Sequence, residues 1–142
     1  MMIYIYTNIF ERKSYNMLHR FSHKTGTYGV SIVEQHGDEV LVQIEQVIKH
    51  PKQGDLHHPK ATEGVFFHER KALSHFEKRY AKQSQLREFN VERMSYEASL
   101  QQALSALEDS LKEQNDDYAQ RALENLSRIK EDYTLQYKQN FY

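Results

Sequence analysis

The sequence predicts an α+β fold, in which a small β-barrel is followed by an α-helical part that contains an αα-hairpin. All five glycines and both prolines lie within residues 1–83, and residues 84–142 contain neither. Gly and Pro are the residues that most often interrupt regular structure. Apolar residues alternate with period two in the first part and recur every three to four positions in the second. The 142 residues suffice for one domain, or for one domain with a helical appendage.

The bulk composition narrows the classes of function. The formal net charge is -1, which disfavours a non-specific nucleic-acid binder. The sequence contains no cysteine, so it offers no disulfide, no thiolate zinc site, no cysteine nucleophile and no lipobox cysteine. A cytoplasmic location fits this composition. No apolar run approaches the ~18 residues of a membrane helix.

Residues 1–16 fit neither pattern. They are rich in aromatic residues and precede a second methionine, Met17. An extra strand or a membrane-seeking segment is one interpretation. We favour a disordered leader or a mis-called start, because chain termini are loosely held unless they dock. A secretory signal is not expected, since the apolar run is short and no basic segment precedes it.

A β-hairpin is the clearest feature of the first part. Residues 18–22 predict a first strand, which ends at a turn over 24–26. Apolar residues alternate over 28–32 and again over 40–45, and the turn signal 35–38 separates the two runs.

The predicted barrel covers residues 17–68. Val47 and Ile48 break the alternation, which indicates a bulge or bend near Gln46. Short, bent strands favour a small barrel over an open sheet. Residues 65–67 predict a short return strand that closes this barrel.

The predicted helical region covers residues 69–142 and packs on the barrel. Its first helix begins at Glu69, because apolar residues recur at helical spacing from there. These residues are Ala72, Leu73, Phe76 and Tyr80. Residues 83–92 predict a connector.

Two later helices are predicted from apolar stripes over 96–111 and 119–137. Asp116 or Asp117 is a suitable N-cap for the second helix. A few polar residues between the helices predict an αα-hairpin. We interpret the stripes as surfaces that pack against each other or against the barrel. Packing against a partner helix is the alternative.

The loop over residues 50–64 combines histidines, carboxylates and both prolines. Imidazole and carboxylate groups suit zinc, nickel or iron, so a metal-dependent enzyme is one hypothesis. The spacing matches no known ligand pattern, and the adjacent His57 and His58 are expected to point apart. We favour a loop whose polar side chains satisfy its own backbone, and we expect no metal.

Catalytic motifs are missing from the sequence. Residues 67–73 resemble the HExxH zinc motif, but the position of its second histidine is Ala72. His68 followed by Glu69 also resembles a kinase phosphoacceptor box, but the chain is too short to add an ATP-binding domain. Neither a Gly-rich phosphate loop nor a Gly-x-Ser-x-Gly elbow is present. We therefore expect no enzyme, no catalytic residue and no cofactor.

Two segments, 48–60 (IKHPKQGDLHHPK) and 66–73 (FFHERKAL), resemble the kinase-associated lipoprotein B family (KapB-like) of Firmicutes. Residues 24–29 resemble the family's entry turn, and the resemblance extends from about residue 18 to the end. It implies an SH3-like barrel with a helical C-terminal part. It also implies a non-enzymatic accessory protein for a membrane sensor histidine kinase in sporulation-type signalling, a phosphorelay. The word lipoprotein in the family's name does not fit this sequence, because a lipobox requires a cysteine and the sequence contains none.

The expected binding face is the loop and the aromatic residues after it, because exposed loops on rigid scaffolds often carry recognition. The predicted partner-binding residues are His50, Gln53, Gly54, Asp55, His57, His58, Phe66, Phe67 and His68. The expected partner is a protein, a membrane sensor histidine kinase, rather than a small molecule or a nucleic acid. The protein would then lie in the cytoplasm, peripheral at the membrane through that partner.

An RNA- or ribosome-associated small-barrel protein is the alternative function. SH3-like barrels often bind RNA, which is an argument from fold analogy. Residues 1–83 carry 12 Lys and Arg against 9 Asp and Glu, which supports this alternative. Residues 84–142 carry 7 against 11, which weighs against it.

Overall fold

The computed structural model describes residues 15–55, 57, 61–64 and 66–142. In this described part of the chain, five strands precede two helices. They are β1 Tyr15–His23, β2 Gly26–His36, β3 Glu39–Lys49, β4 Lys78–Lys82, β5 Leu86–Glu92, α1 Tyr96–Gln114 and α2 Asp117–Tyr137. The predicted leader over residues 1–16 lies outside the described residues, except that β1 begins at Tyr15.

The strands form one antiparallel sheet in the order β4-β3-β2-β1-β5. The predicted hairpin of β2 and β3 is confirmed, with Val30 opposite Ile44. The predicted bulge is confirmed as well, because the register shifts between Gly29, which faces Gln46, and Val30. Such shifts bend a strand and increase its twist.

Strands β4 and β5 are the edges of the sheet. Within the described residues these two strands are not hydrogen-bonded to each other, and a 3-10 turn over Gln83–Gln85 connects them. The sheet is therefore open at this seam, and the predicted closed barrel is not confirmed. The predicted return strand over 65–67 is not formed by Phe66 and Phe67, while Val65 lies outside the described residues.

The predicted helix from Glu69 is wrong. Residues 69–77 have no regular secondary structure, and Lys78–Lys82 is strand β4. The apolar spacing was misleading, because Phe76 is 59% exposed and Tyr80 is 63% exposed. The free edge of β3 supplied partners instead: Ile44 accepts from Phe76 N and donates to the carbonyl of Glu77. Tertiary pairing thus overrode local pattern.

The predicted connector over 83–92 is wrong for most of its length, because Leu86–Glu92 forms strand β5 against β1. The change from sheet to helix therefore falls between Glu92 and Tyr96 rather than at residue 69.

The two C-terminal helices are confirmed. Ser95 is the N-cap of α1, and Asn115 ends that helix in the left-handed conformation with φ 49°. Asp116 is the N-cap of α2 because its side chain accepts from Ala119 N at 2.8 Å. No helix in the described part of the chain is long and apolar enough to cross a membrane.

A single hydrophobic core lies between the sheet and the helices. Ser99 joins the two layers, since its hydroxyl oxygen accepts from Val47 N at 2.9 Å. Each fully buried aliphatic side chain contributes about 1.5–3 kcal/mol through removal from water. Those with almost no exposure are Val30, Val40, Val42, Ile44, Leu100, Leu104, Leu126 and Ile129.

Candidate partner-binding site

Gln53 fixes the predicted loop to the segment that follows it. Its side chain is buried and makes two hydrogen bonds to the backbone of Arg70, with Nε2 donating to the carbonyl and Oε1 accepting from the amide, both at 2.9 Å. The hydroxyl of Tyr118 on α2 donates to the backbone carbonyl of Gln53 at 2.8 Å. The loop is thus attached to both the following segment and the helical layer.

Gly54 continues this attachment, and only glycine suits its position. The backbone amide donates to the carbonyl of His68 at 2.9 Å, and the Arg70 guanidinium donates to the Gly54 carbonyl. The φ angle is +100°, and an ideal Cβ would lie 3.1 Å from the Phe67 ring. A side chain would therefore meet both backbone strain and a steric clash.

His50 is a buried link between the loop and α2. Its Nδ1 lies 2.9 Å from the carbonyl of Pro51, which can only accept, so Nδ1 carries the proton. The hydroxyl of Tyr133 accepts from Ala72 N at 2.8 Å and donates to His50 Nε2 at 2.9 Å. Burial lowers the pKa of His50 to about 4, so the ring is neutral at pH 7.

Asp55 and His57 form the outer part of the loop. Oδ1 of Asp55 accepts from His57 N at 2.8 Å, an arrangement typical of an Asx turn. The side chain of His57 is exposed. His58 lies outside the described residues.

The two adjacent phenylalanines point in opposite directions. Phe67 is 6% exposed, and its ring packs 5.7 Å from Tyr118 with the Arg121 guanidinium 4.9 Å from its centroid. Phe66 is 72% exposed, and its ring lies 4.2 Å from the ring of the exposed His68. We call Phe66 and His68 the exposed pair.

The nine predicted residues therefore separate into two groups. Four are buried and shape the loop from inside: His50, Gln53, Gly54 and Phe67. A partner that docks on the folded protein reaches His57 and the exposed pair instead, while Asp55 is half-buried.

Sequence reasoning missed the residues that hold the loop in place. Tyr118 and Tyr133 donate to it from α2, and Asn125 Nδ2 donates to the carbonyl of His68 at 3.3 Å. Their helical spacing predicts burial but not the polar contacts of the hydroxyl and amide groups. In the described residues, no group of three or more histidines and carboxylates is placed to hold a metal ion.

The chain is similar to known proteins of one family. The family model of kinase associated protein B matches residues 23–134. The chain is 36% identical over 111 residues to the kinase-associated lipoprotein B of Bacillus subtilis (strain 168), which covers 78% of this chain and 87% of that protein. A crystal structure of kinase-associated protein B from Bacillus cereus superposes with a TM-score of 0.68 at 27% identity, covering 83% of this chain and 95% of that one. These matches confirm the resemblance carried by residues 48–60 and 66–73.

Proposed function

The chain belongs to the kinase-associated protein B family, and we propose that it is a non-enzymatic accessory protein of a membrane sensor histidine kinase in sporulation-type signalling. The names of both similar proteins describe association with a kinase. The sequence contains no HExxH motif, no Gly-rich phosphate loop and no Gly-x-Ser-x-Gly elbow. In this proposal the protein acts from the cytoplasm and reaches the membrane through its partner.

The scaffold of this function is an SH3-like sheet. Support comes from five antiparallel strands in the order β4-β3-β2-β1-β5, and from register shifts that bend the long β2 and β3 strands. A single 3-10 turn joins the two edge strands. Small bent sheets of this kind present loops from a rigid body.

The exposed pair is the observation that carries the binding proposal. Phe66 is 72% exposed and lies against His68, and aromatic residues are enriched at binding hot spots. The backbone carbonyl of His68 accepts hydrogen bonds from Gly54 N and from Asn125 Nδ2, and the intervening Phe67 is buried. A rigid segment loses little conformational entropy when a partner binds.

Affinity capture from crosslinked cells tests the proposal, with soluble and membrane fractions kept separate and read by mass spectrometry. We expect a sensor histidine kinase to be enriched from the membrane fraction. The double variant Phe66→Ala/His68→Ala should reduce this enrichment about 10-fold or more, as expected for loss of a hot spot. Leu135→Ala is the matched control, because Leu135 on α2 is 77% exposed and lies outside the loop.

Two outcomes would contradict the proposal. Equal capture by the double variant and by wild type, with both folded by circular dichroism, would remove the exposed pair from the interface. Enrichment of ribosomal proteins that disappears after RNase treatment would favour the RNA-associated alternative over the kinase.

A further inference from the structure

A cavity of about 370 Å³ lies between the β1–β2 turn, the segment after the exposed pair, and β4. Its walls combine many cationic side chains with one acidic side chain. The lining residues are His23, Lys24, Tyr28, Pro51, His68, Glu69, Arg70, Lys71, Leu73 and Arg79. Four Lys or Arg side chains therefore face a single carboxylate.

Neighbouring carboxylates neutralise only part of this charge. Lys71 pairs with Asp132 at 2.9 Å, and Arg79 pairs with Glu77 at 2.7 Å. Both pairs are partly exposed, so each charge is only weakly compensated.

The remaining lining charges are not balanced in the same way. Glu69, the acidic residue of the wall, is already paired with Arg128 at 2.5 Å. Lys24 and Arg70 have no carboxylate partner within the described part of the chain. Among the described residues, these two cationic groups thus have no carboxylate counter-ion, while the Arg70 guanidinium also donates to the Gly54 carbonyl.

Tyr28 adds a neutral donor to the same wall. Its side chain is 1% exposed, and its hydroxyl oxygen accepts from Leu73 N at 3.2 Å. Among the residues that the structure describes, its O–H has no hydrogen-bond acceptor. A buried donor without an acceptor is costly unless a ligand or water satisfies it.

We propose that this cavity binds a phosphoryl group. Two uncompensated cations match the charge of about two that a phosphate monoester carries at neutral pH. Arginine and lysine donors form strong charge-assisted hydrogen bonds with phosphate oxygens. The volume lies within the range of small-molecule sites and leaves room for the group that bears the phosphate.

This site goes beyond the accessory role and does not depend on it. His68 lines the cavity and also belongs to the exposed pair, so a phosphorylated segment of a partner could reach both. A free phosphate ester is the other source of the same chemistry, and the test separates the two.

The first test is a titration of the full chain with inorganic phosphate, followed by ¹⁵N–¹H NMR at constant ionic strength with chloride as the reference anion. We expect saturable shifts at the amides of Lys24, Arg70 and Arg79. Burial, Arg79 and Lys24 hold the pKa of His23 below its usual value, against an opposing effect of Glu77. Bound phosphate should raise the pKa of His23, which the ring signals report.

Variants that each remove one positive charge then locate the site. Lys24→Gln should weaken phosphate binding about 10-fold, and Arg79→Gln should weaken it less, because Arg79 is already paired with Glu77. Lys112→Gln removes one positive charge from α1 outside the cavity, so its affinity should equal that of wild type.

A phosphoserine peptide, compared with the unphosphorylated peptide, identifies the source of the group. Binding of the phosphopeptide about 10-fold tighter than inorganic phosphate assigns the site to a phosphorylated segment, and equal affinity assigns it to a free phosphate ester. Shifts that do not saturate, that chloride reproduces, or that Lys24→Gln and Lys112→Gln change equally would overturn the proposal. That failure would leave the capture experiment on the exposed pair unaffected.

Discussion

His50 illustrates at the residue scale how burial determines a side chain's role. The sequence places it in a loop rich in histidine, where metal binding or partner recognition is a reasonable expectation. In the folded protein it is 4% exposed and makes hydrogen bonds with Pro51 and Tyr133. Its neutral form is required by these bonds, since Nε2 must accept from the Tyr133 hydroxyl.

This arrangement predicts a loss of stability in mild acid. The pKa of His50 is about 4 in the folded protein against an ordinary 6.5, so the unfolded state binds more protons between these values. The free energy of unfolding should therefore fall as the pH falls from 6.5 to 4, by up to roughly 3 kcal/mol from this group. Urea unfolding of wild type and His50→Gln at pH 7 and pH 5 measures the effect.

The variant His50→Gln should be less stable at pH 7 but should show a smaller fall between the two pH values. His36→Gln, at the exposed last residue of β2, is the control and should change the free energy of unfolding at pH 7 by less than about 0.5 kcal/mol. The lowered pKa of His23 acts in the same direction and remains in both variants. A pH dependence unchanged in His50→Gln would contradict the prediction.

At the scale of elements, helix α2 holds the loop of the candidate site in place through direct hydrogen bonds, although it lies far from the loop along the chain. Tyr118, Asn125 and Tyr133 occupy one face of this helix and make hydrogen bonds with the loop and with the segment around His68 and Ala72. The helix in turn depends on its N-cap, Asp116, which follows α1 after a single left-handed residue. The position of the exposed pair therefore depends on a helix more than fifty residues later in the chain.

The N-cap gives a prediction at this scale. Asp116→Ala removes the acceptor of the Ala119 amide and should lower the free energy of unfolding by about 1 kcal/mol. Asp117→Ala is the matched control, because Asp117 lies in the first turn and contributes only through the helix dipole. Urea denaturation compares the two, and an equal loss in both variants would count against the capping role.

Strand β4 shows why one element was predicted incorrectly. Tyr80 of this strand continues the helical spacing of Ala72, Leu73 and Phe76, yet an unpaired edge of β3 offers hydrogen bonds that a surface helix would leave unused. Ala81 is buried while its neighbours Tyr80 and Lys82 are exposed, as expected when successive side chains point to opposite faces of a sheet. Five residues are too few for that alternation to be recognised in the sequence.

At the scale of the whole molecule, the sheet and both helices share one core. The apolar face of the sheet is covered by the helices, and the apolar faces of the helices are covered by the sheet. Neither layer would bury its apolar face without the other. Leu126 on α2 is fully buried in this core, as are Val42 on β3 and Leu104 on α1. Cooperative unfolding of all elements follows from this shared packing.

A cavity variant measures this cooperativity. Leu126→Ala should lower the free energy of unfolding by about 2–5 kcal/mol. Methyl NMR signals of Val42 in the sheet and Ile129 in α2 should be lost at the same denaturant concentration. Leu135→Ala, at an exposed position on the same helix, should change stability by less than about 0.5 kcal/mol. Separate transitions for the two methyl groups would show that sheet and helices are independent units.

The sequence by itself determined the features that depend on local periodicity. The β2–β3 hairpin with its bulge, the two C-terminal helices and the cap at Asp116 or Asp117 were predictable in this way. Each depends on residues close together in the chain, where alternation, helical stripes and turn residues act directly. The family was identified separately, from the resemblance of segments 48–60 and 66–73. The loop over residues 50–64 is also identifiable from the sequence, by its histidines, carboxylates and prolines.

Only the tertiary structure decided which residues of that loop are available to a partner. Phe66 and Phe67 are adjacent and identical in type, yet one is exposed and the other is packed under Tyr118 and Arg121. The cavity likewise brings Lys24 and Arg79 together from positions more than fifty residues apart. Exposure and charge clustering arise from contacts between distant segments, and a pattern read along the chain contains no information on those contacts.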